Sequence, residues 1–257
     1  MNDPLFLGWA ALLGAVVGSF LNVCISRLPV GGSIVHPGSH CPKCGVPVRW
    51  HDNVPILSFF VLRGKCRFCK EKISWQYPAV EVATMLIWLG MATAYGPTPR
   101  GLVGAVLLSM LLAIALADAR HYIIPDLLSV GGFAAGMALS FFPGPPSPLM
   151  ALAGAALGFS LLFAVGWAGE RVFKKPAMGG GDMKMMALIG AFLGPLGAVL
   201  TIFLGALAGS LIFGPISLKT KKLVPFGVFL ALGAAVTFLF GDRLIGWYVG
   251  FLGTGVA

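Results

Sequence analysis

Residues 101–126 read GLVGAVLLSMLLAIALADARHYIIPD. Seventeen uncharged residues precede Asp118, enough for a helix to cross the hydrocarbon core of a bilayer, which takes about 17–25 residues. Arg120 and His121 follow, and Ile124-Pro125-Asp126 opens a second apolar run. A second acid stands at a similar boundary, where Gly179-Gly180-Gly181-Asp182 leads into another apolar stretch. An ionisable side chain at membrane depth is costly and marks a functional position by default. Two carboxylates able to meet there suit acid–base chemistry on a water molecule.

The rest of the chain reads the same way. Of 257 residues, 58% are hydrophobic and 11% charged, with a mean hydropathy of +0.91. A soluble domain carries about 25% charge, so the fold class is an all-α polytopic membrane protein. Eight spans are expected, near 5–25, 77–96, 101–118, 123–142, 149–168, 183–200, 201–217 and 224–241. Gly194-Pro195 is where the sixth and seventh divide, or else a kink in one long helix; 244–252 is too short to cross. The N-terminal Met1-Asn2-Asp3-Pro4 lacks the basic region of a cleaved signal, so the first span is retained. Three parts are expected: the first helix (1–25), a cytoplasmic loop domain resembling a zinc ribbon (26–76), and a larger transmembrane part (77–257).

A net charge of +9 raises the question of nucleic acid, and its distribution answers it. Sixteen Lys and Arg fall in 26–76, 119–122, 169–184 and 218–223, against Arg100 and Arg243 on the other side. That asymmetry is the positive-inside rule at work, so those four loops face the cytoplasm and both termini face outward. The expected surroundings are lipid, with no nucleic acid. The outer links Gly96-Pro-Thr-Pro-Arg100 and Pro143-Gly-Pro-Pro-Ser-Pro148 are tight and proline-rich, leaving little room for chemistry there.

The one sizeable hydrophilic segment holds Cys41-Pro-Lys-Cys44 and Cys66-Arg-Phe-Cys69. Each Cys-x-x-Cys places two thiolates on one ion, and two such turns complete a tetrahedral Cys₄ zinc site, closed and hence structural. Gly45 and Gly64 relieve the backbone beside them. A reducing compartment favours metal over the alternatives, disulfides or inert thiols. So short a segment with few apolar residues lacks a core of its own, and metal would supply its folding energy. His40 is a spare donor, His36 and His51 are surface residues, and Cys24 packs within the first span.

The acids admit more than one reading. Asp118 and Asp182 are a catalytic pair, a proton or ion relay, or interfacial helix caps; Asp126 fits capping best. Three successive glycines start a helix poorly, but they let an extended peptide lie against residues 179–181 beside Asp182. That favours an intramembrane aspartic protease, since a scissile bond must leave its helix before water attacks. Glu81, one turn inside the second span, snorkels, pairs with a basic loop residue, or belongs to a binding site, and Asn22 is a similar polar intruder. Gly18 and Ser19 read as a small-residue packing face.

Taken in order, these motifs resemble the type IV prepilin peptidases, bifunctional leader peptidase/N-methyltransferases of bacterial pilus and type II secretion systems. The resemblance rests on Gly18-Ser-Phe-Leu-Asn-Val23, Arg27-Leu-Pro29, both Cys-x-x-Cys pairs with Arg63-Gly-Lys-Cys66, and Tyr77-Pro-Ala-Val-Glu81. It continues through Asp118, Ile124-Pro-Asp126 and Gly179-Gly-Gly-Asp182-Met-Lys184, a Gly-x-Gly-Asp signature. Gln76 stands where many members have arginine. The resemblance implies cleavage of a basic leader from prepilins and pseudopilins after a glycine, then N-methylation of the new N-terminus from S-adenosylmethionine. It places the active site at the cytoplasmic face of a bacterial inner membrane, with Asp118 and Asp182 as the catalytic pair, one ionised and one protonated. It associates 26–76 with methyl transfer, to which Asn22, Gly64 and Glu81 are candidates, and 77–257 with proteolysis. No glycine-rich dinucleotide fingerprint offers a conventional cofactor site. Two rival classes remain: an ion-coupled transporter using the same acids as relays, and a non-enzymatic zinc-bearing membrane assembly factor.

Overall fold

The computed structural model describes residues 3–144, 146–175, 178–220 and 225–253, with side chains described except at 213–220, 252 and 253. Eight α-helices are present among the described residues: α1 Pro4–Arg27, α2 Leu57–Val61, α3 Gln76–Tyr95, α4 Pro99–His121, α5 Asp126–Leu139, α6 Pro148–Phe173, α7 Gly180–Thr220 and α8 Phe226–Gly253. Six are long and apolar enough to cross a membrane, making this a multi-pass membrane protein. The short α2 lies in the hydrophilic segment, and α5, with 14 residues, is the shorter apolar helix. Residues 221–224, in the fourth basic loop, lie outside the described residues.

Two expectations change. The expected span 224–241 and the separate stretch 244–252 form one helix, α8, because no proline or left-handed residue interrupts 226–253. The sixth and seventh spans lie on one element, α7, with a left-handed residue at Gly194 (φ 71°, ψ −177°). Contacts on either side of Gly194 show that the chain reverses there. Before it, Lys184, Leu188 and Phe192 meet Asp126, Gly132 and Gly136, running parallel to α5. After it, Thr201 meets Thr237, and a Cβ at Gly205 or Gly209 would touch Leu230 or Phe229, running antiparallel to α8. Gly194 with Pro195 therefore closes a helical hairpin, and only a glycine takes that φ at no steric cost.

The chain divides into two compact units, residues 1–109 and 110–257, the division falling within α4. In the first, α1 packs on α3 through Gly14 and Gly18: a Cβ at Gly18 would lie 2.7 Å from the Glu81 Cα, so the helices touch backbone to backbone. Asp3 caps α1 by accepting from the Leu5 N–H at 2.9 Å. In the second unit, α6 and α7 approach as closely. A Cβ at Gly190 would come within 2.1 Å of the Gly154 carbonyl oxygen, and one at Gly158 within 2.7 Å of that of Met186. Where lipid tails are as apolar as the side chains, such small-residue contacts hold helices together through van der Waals packing.

Candidate functional site

Asp118 and Asp182 are brought together in the second unit. Asp118 sits in the last turn of α4 and is buried, its Oδ2 without a hydrogen-bond partner among the described residues. It does not cap α4, because an acid near a helix C-terminus opposes the macrodipole; its carboxylate faces the N–H groups of Gly227 and Val228 in the first turn of α8. Asp182 is the third residue of α7, half-buried, with Asp118 close enough to act on it electrostatically. Its Oδ2 lies over Gly179, where a Cβ would approach to 3.2 Å.

The three glycines differ. Gly181 must be small, since a Cβ there would lie 2.9 Å from the Ile124 Cβ. Gly179 leaves room for the Asp182 carboxylate, and a Cβ at Gly180 would meet nothing within 4 Å. The middle glycine thus faces open space beside the acid. Ile124 is the shared shelf, touching the Gly181 position on one side and the Gly227 position on the other. Gly227, in the first turn of α8, was not singled out from the sequence. A Cβ there would lie 2.9 Å from both the Asp118 Oδ2 and the Ile124 Cδ1. The available signal was a glycine at the start of an apolar helix, where propensity gives no reason for one.

Asp126 is corrected: it does not cap α5. Pro125 takes the cap position and Asp126 is the first helical residue, so its carboxylate points outward. It accepts two hydrogen bonds from the Lys184 Nζ, at 2.7 and 2.8 Å, tying the start of α5 to the first turn of α7, two residues beyond Asp182.

The carboxylates lie at a recessed level. Gly166 of α6 is level with Met178 and Met183, yet α6 runs on to Phe173, about 10 Å further at 1.5 Å per residue. Helix α5 and the first arm of α7 both start at this level, and 14 residues give about 21 Å, short of the roughly 30 Å hydrocarbon core. The acids therefore stand about 10 Å short of the end of α6.

The cysteines form a separate cluster in the first unit. The Sγ atoms of Cys41, Cys44, Cys66 and Cys69 lie within 4.8 Å of one another, with Cys41 and Cys69 at 3.7 Å. Tetrahedral Zn–S bonds of about 2.3 Å imply S···S edges near ~3.8 Å, so this donor set fits such an ion. Each knuckle closes alike: the Gly45 N–H donates to the Cys41 carbonyl at 2.9 Å and the Lys70 N–H to that of Cys66 at 3.1 Å. Gly45 and Lys70, both at positive φ, are equivalent. Gly64 is also left-handed, but it serves the turn after α2, with Phe59 packed against it. The N–H groups of Cys44 and Lys43 bring the Cys41 thiol down to about 6. Arg67 donates two hydrogen bonds to Asp52, holding that carboxyl below the usual range. Between residues 28 and 75 only Phe59 is buried, so the knuckles stand on no apolar core.

Asn22 and Glu81 lie at the α1–α3 contact. Asn22 is fully buried, donating to the Tyr77 carbonyl at 3.0 Å and accepting from Gln76 at 3.4 Å. Among the described residues Glu81 has no ion pair with a basic loop residue: its Oε2 accepts from the Ile56 N–H at 2.7 Å. Arg27 donates to the carbonyls of Ser33, Pro37 and Gly38, fixing the loop that leads to Cys41.

Comparison with known proteins gives consistent matches. Residues 12–95 match the Bacterial Peptidase A24 N-terminal domain, and residues 105–214 match the Type IV leader peptidase family. A Prepilin leader peptidase/N-methyltransferase of Myxococcus xanthus is 42% identical over 74% of this chain and 57% of its own. Proteins of the same name from Pseudomonas putida and Pseudomonas aeruginosa are 35% and 36% identical. They cover 95% and 98% of this chain and 94% and 97% of their own. No solved structure matches the chain.

Proposed function

This chain belongs to the type IV leader peptidase family, and we propose that it removes the basic leader of prepilins or pseudopilins and N-methylates the exposed terminus. One observation carries the protease reading: Asp118 and Asp182 converge across Ile124 beside the open face of Gly180. An extended backbone laid against residues 179–181 sets its carbonyl next to both acids. One carboxylate, ionised, takes a proton from water as it attacks that carbonyl; the other, protonated, donates to the carbonyl oxygen. The tetrahedral adduct then breaks its C–N bond, and the proton first taken passes to the leaving amine. The recessed level suits a bond at the end of a substrate membrane helix. The positive-inside asymmetry supports a cytoplasmic orientation in a bacterial inner membrane, where a basic leader also lies.

Cys41, Cys44, Cys66 and Cys69 would hold one zinc ion, which would supply folding energy to residues 26–76 rather than chemistry. S-adenosylmethionine supplies an electrophilic methyl group when bound. Glu81, held by Ile56, would form part of the methyl-transfer or substrate site. Asn22 fixes the entry of α3 beside it, and Gly64 shapes the loop that covers it. The decisive experiment incubates purified protein with a leader-bearing substrate, with and without S-adenosylmethionine, and weighs the products. A product shortened by the leader in both, and heavier by one methyl only with the donor, is expected. No shortened product overturns the protease reading; a shortened but unmethylated one overturns the methyltransferase reading alone.

A further inference from the structure

Helix α2 exposes three large apolar side chains on one stripe: Leu57 at 65%, Phe60 at 61% and Val61 at 75%. Positions i, i+3 and i+4 share one helix face. The opposite side is anchored, since Phe59 is buried with its ring 4.7 Å from that of Trp75. A soluble loop would not hold such a stripe in water without a partner.

Two contacts fix where this stripe lies. Trp75 immediately precedes α3, and its exposed indole suits the headgroup level at which that helix enters the membrane. Glu81, six residues further on, accepts the Ile56 N–H that leads into α2, and six helical residues rise about 9 Å. Helix α2 is therefore pinned beside the first turns of α3, between Trp75 and Glu81, and not out over the cytoplasm. Ile56 takes φ 63°, costly for a β-branched residue, and the Glu81 contact holds it there. Exposed Arg63 and Lys65 follow the stripe, matching anionic headgroups.

We propose that α2 is an interfacial membrane helix, with Leu57, Phe60 and Val61 inserted among lipid headgroups and upper acyl chains. Amphipathic elements of this kind bury their apolar face about 5–10 Å deep, matching the interval between Trp75 and Glu81. The hydrophilic segment is thus fastened to the bilayer at its middle as well as at its two ends. The Glu81 contact then lies at the depth of the inserted stripe.

The test uses the full chain in nanodiscs of phosphatidylcholine and phosphatidylglycerol. Trifluoromethyl-phenylalanine replaces Phe60, and in separate samples Val61, Leu12 or Val35. Broadening of the fluorine signal is read with dissolved oxygen and with a water-soluble nickel chelate. Positions 60 and 61 are expected to fall between Leu12, an exposed residue well inside the membrane helix α1 that oxygen broadens and nickel spares, and position 35, with nickel broadening well below that at 35. Position 35, in the exposed loop, is expected to show the reverse of Leu12. Nickel broadening at 60 and 61 equal to that at 35 would place the stripe in water and overturn the proposal. Protection from both reagents would mean a protein covers it, which overturns the proposal equally. Position 61 repeats the measurement should a label at 60 disturb the loop.

Discussion

Replacing Gly227 by alanine adds one methyl group directly against the proposed active site. The new Cβ would stand 2.9 Å from both the Asp118 Oδ2 and the Ile124 Cδ1, about half an ångström inside ordinary van der Waals contact. The Asp118 carboxylate must then turn or retreat by that amount, because Ile124 is itself wedged against Gly181. A misplacement of about 1 Å costs on the order of 10²-fold in rate, so half of that should lower cleavage by roughly tenfold. Helix stability should not fall, since alanine is favoured over glycine by about 1 kcal/mol within a helix. Leader removal by Gly227→Ala should be timed by mass on purified protein in nanodiscs, beside Gly131→Ala, where a Cβ meets nothing within 4 Å. Methylation of a substrate cut beforehand should stay at the wild-type rate. If Gly227→Ala cuts as fast as Gly131→Ala, the carboxylate is not where the reaction needs it, and the assignment of Asp118 fails.

Asp118→Asn and Asp182→Asn should each abolish cleavage without loss of fold or insertion, and a tenth of wild-type activity in either would remove it from the pair. Asp126→Asn and Lys184→Gln should each slow cleavage by less than tenfold, because a half-exposed ion pair contributes roughly 0.2–1 kcal/mol. The double variant should be no slower than the slower single one, and additive losses would show that the two act separately. Cys41→Ser should lower zinc from one equivalent and make residues 26–76 protease-sensitive, harming methylation more than cleavage; unchanged metal analysis would refute the Cys₄ site. Gly190→Ala should loosen α6 from α7, with overpacking costing about 1–3 kcal/mol, read as a lower melting temperature in detergent.

The membrane class was legible in the residues alone, because burying a span needs an apolar run and every polar group left inside costs free energy. The same cost singled out Asp118, Asp182, Glu81 and Asn22, and the pair spacing alone made Cys41, Cys44, Cys66 and Cys69 one cluster. Those features are local or carried by residue type. What the sequence left open depended on backbones far apart in the chain. The reversal at Gly194, offered by the sequence as a break or a kink, was settled by which helices its two arms touch. Asp126 looked like a cap because proline precedes it, and only the arrival of Lys184, 58 residues on, gave it another partner. Gly227 was not singled out because its role is to leave space for Asp118 from another helix, and a glycine at a helix start does not tell what it makes room for. Glu81 was legible as a buried acid but not as the anchor of Ile56, since that bond goes to a backbone N–H that every residue but proline has. Residue type sets what a side chain costs to bury, while tertiary approach decides which group meets it there.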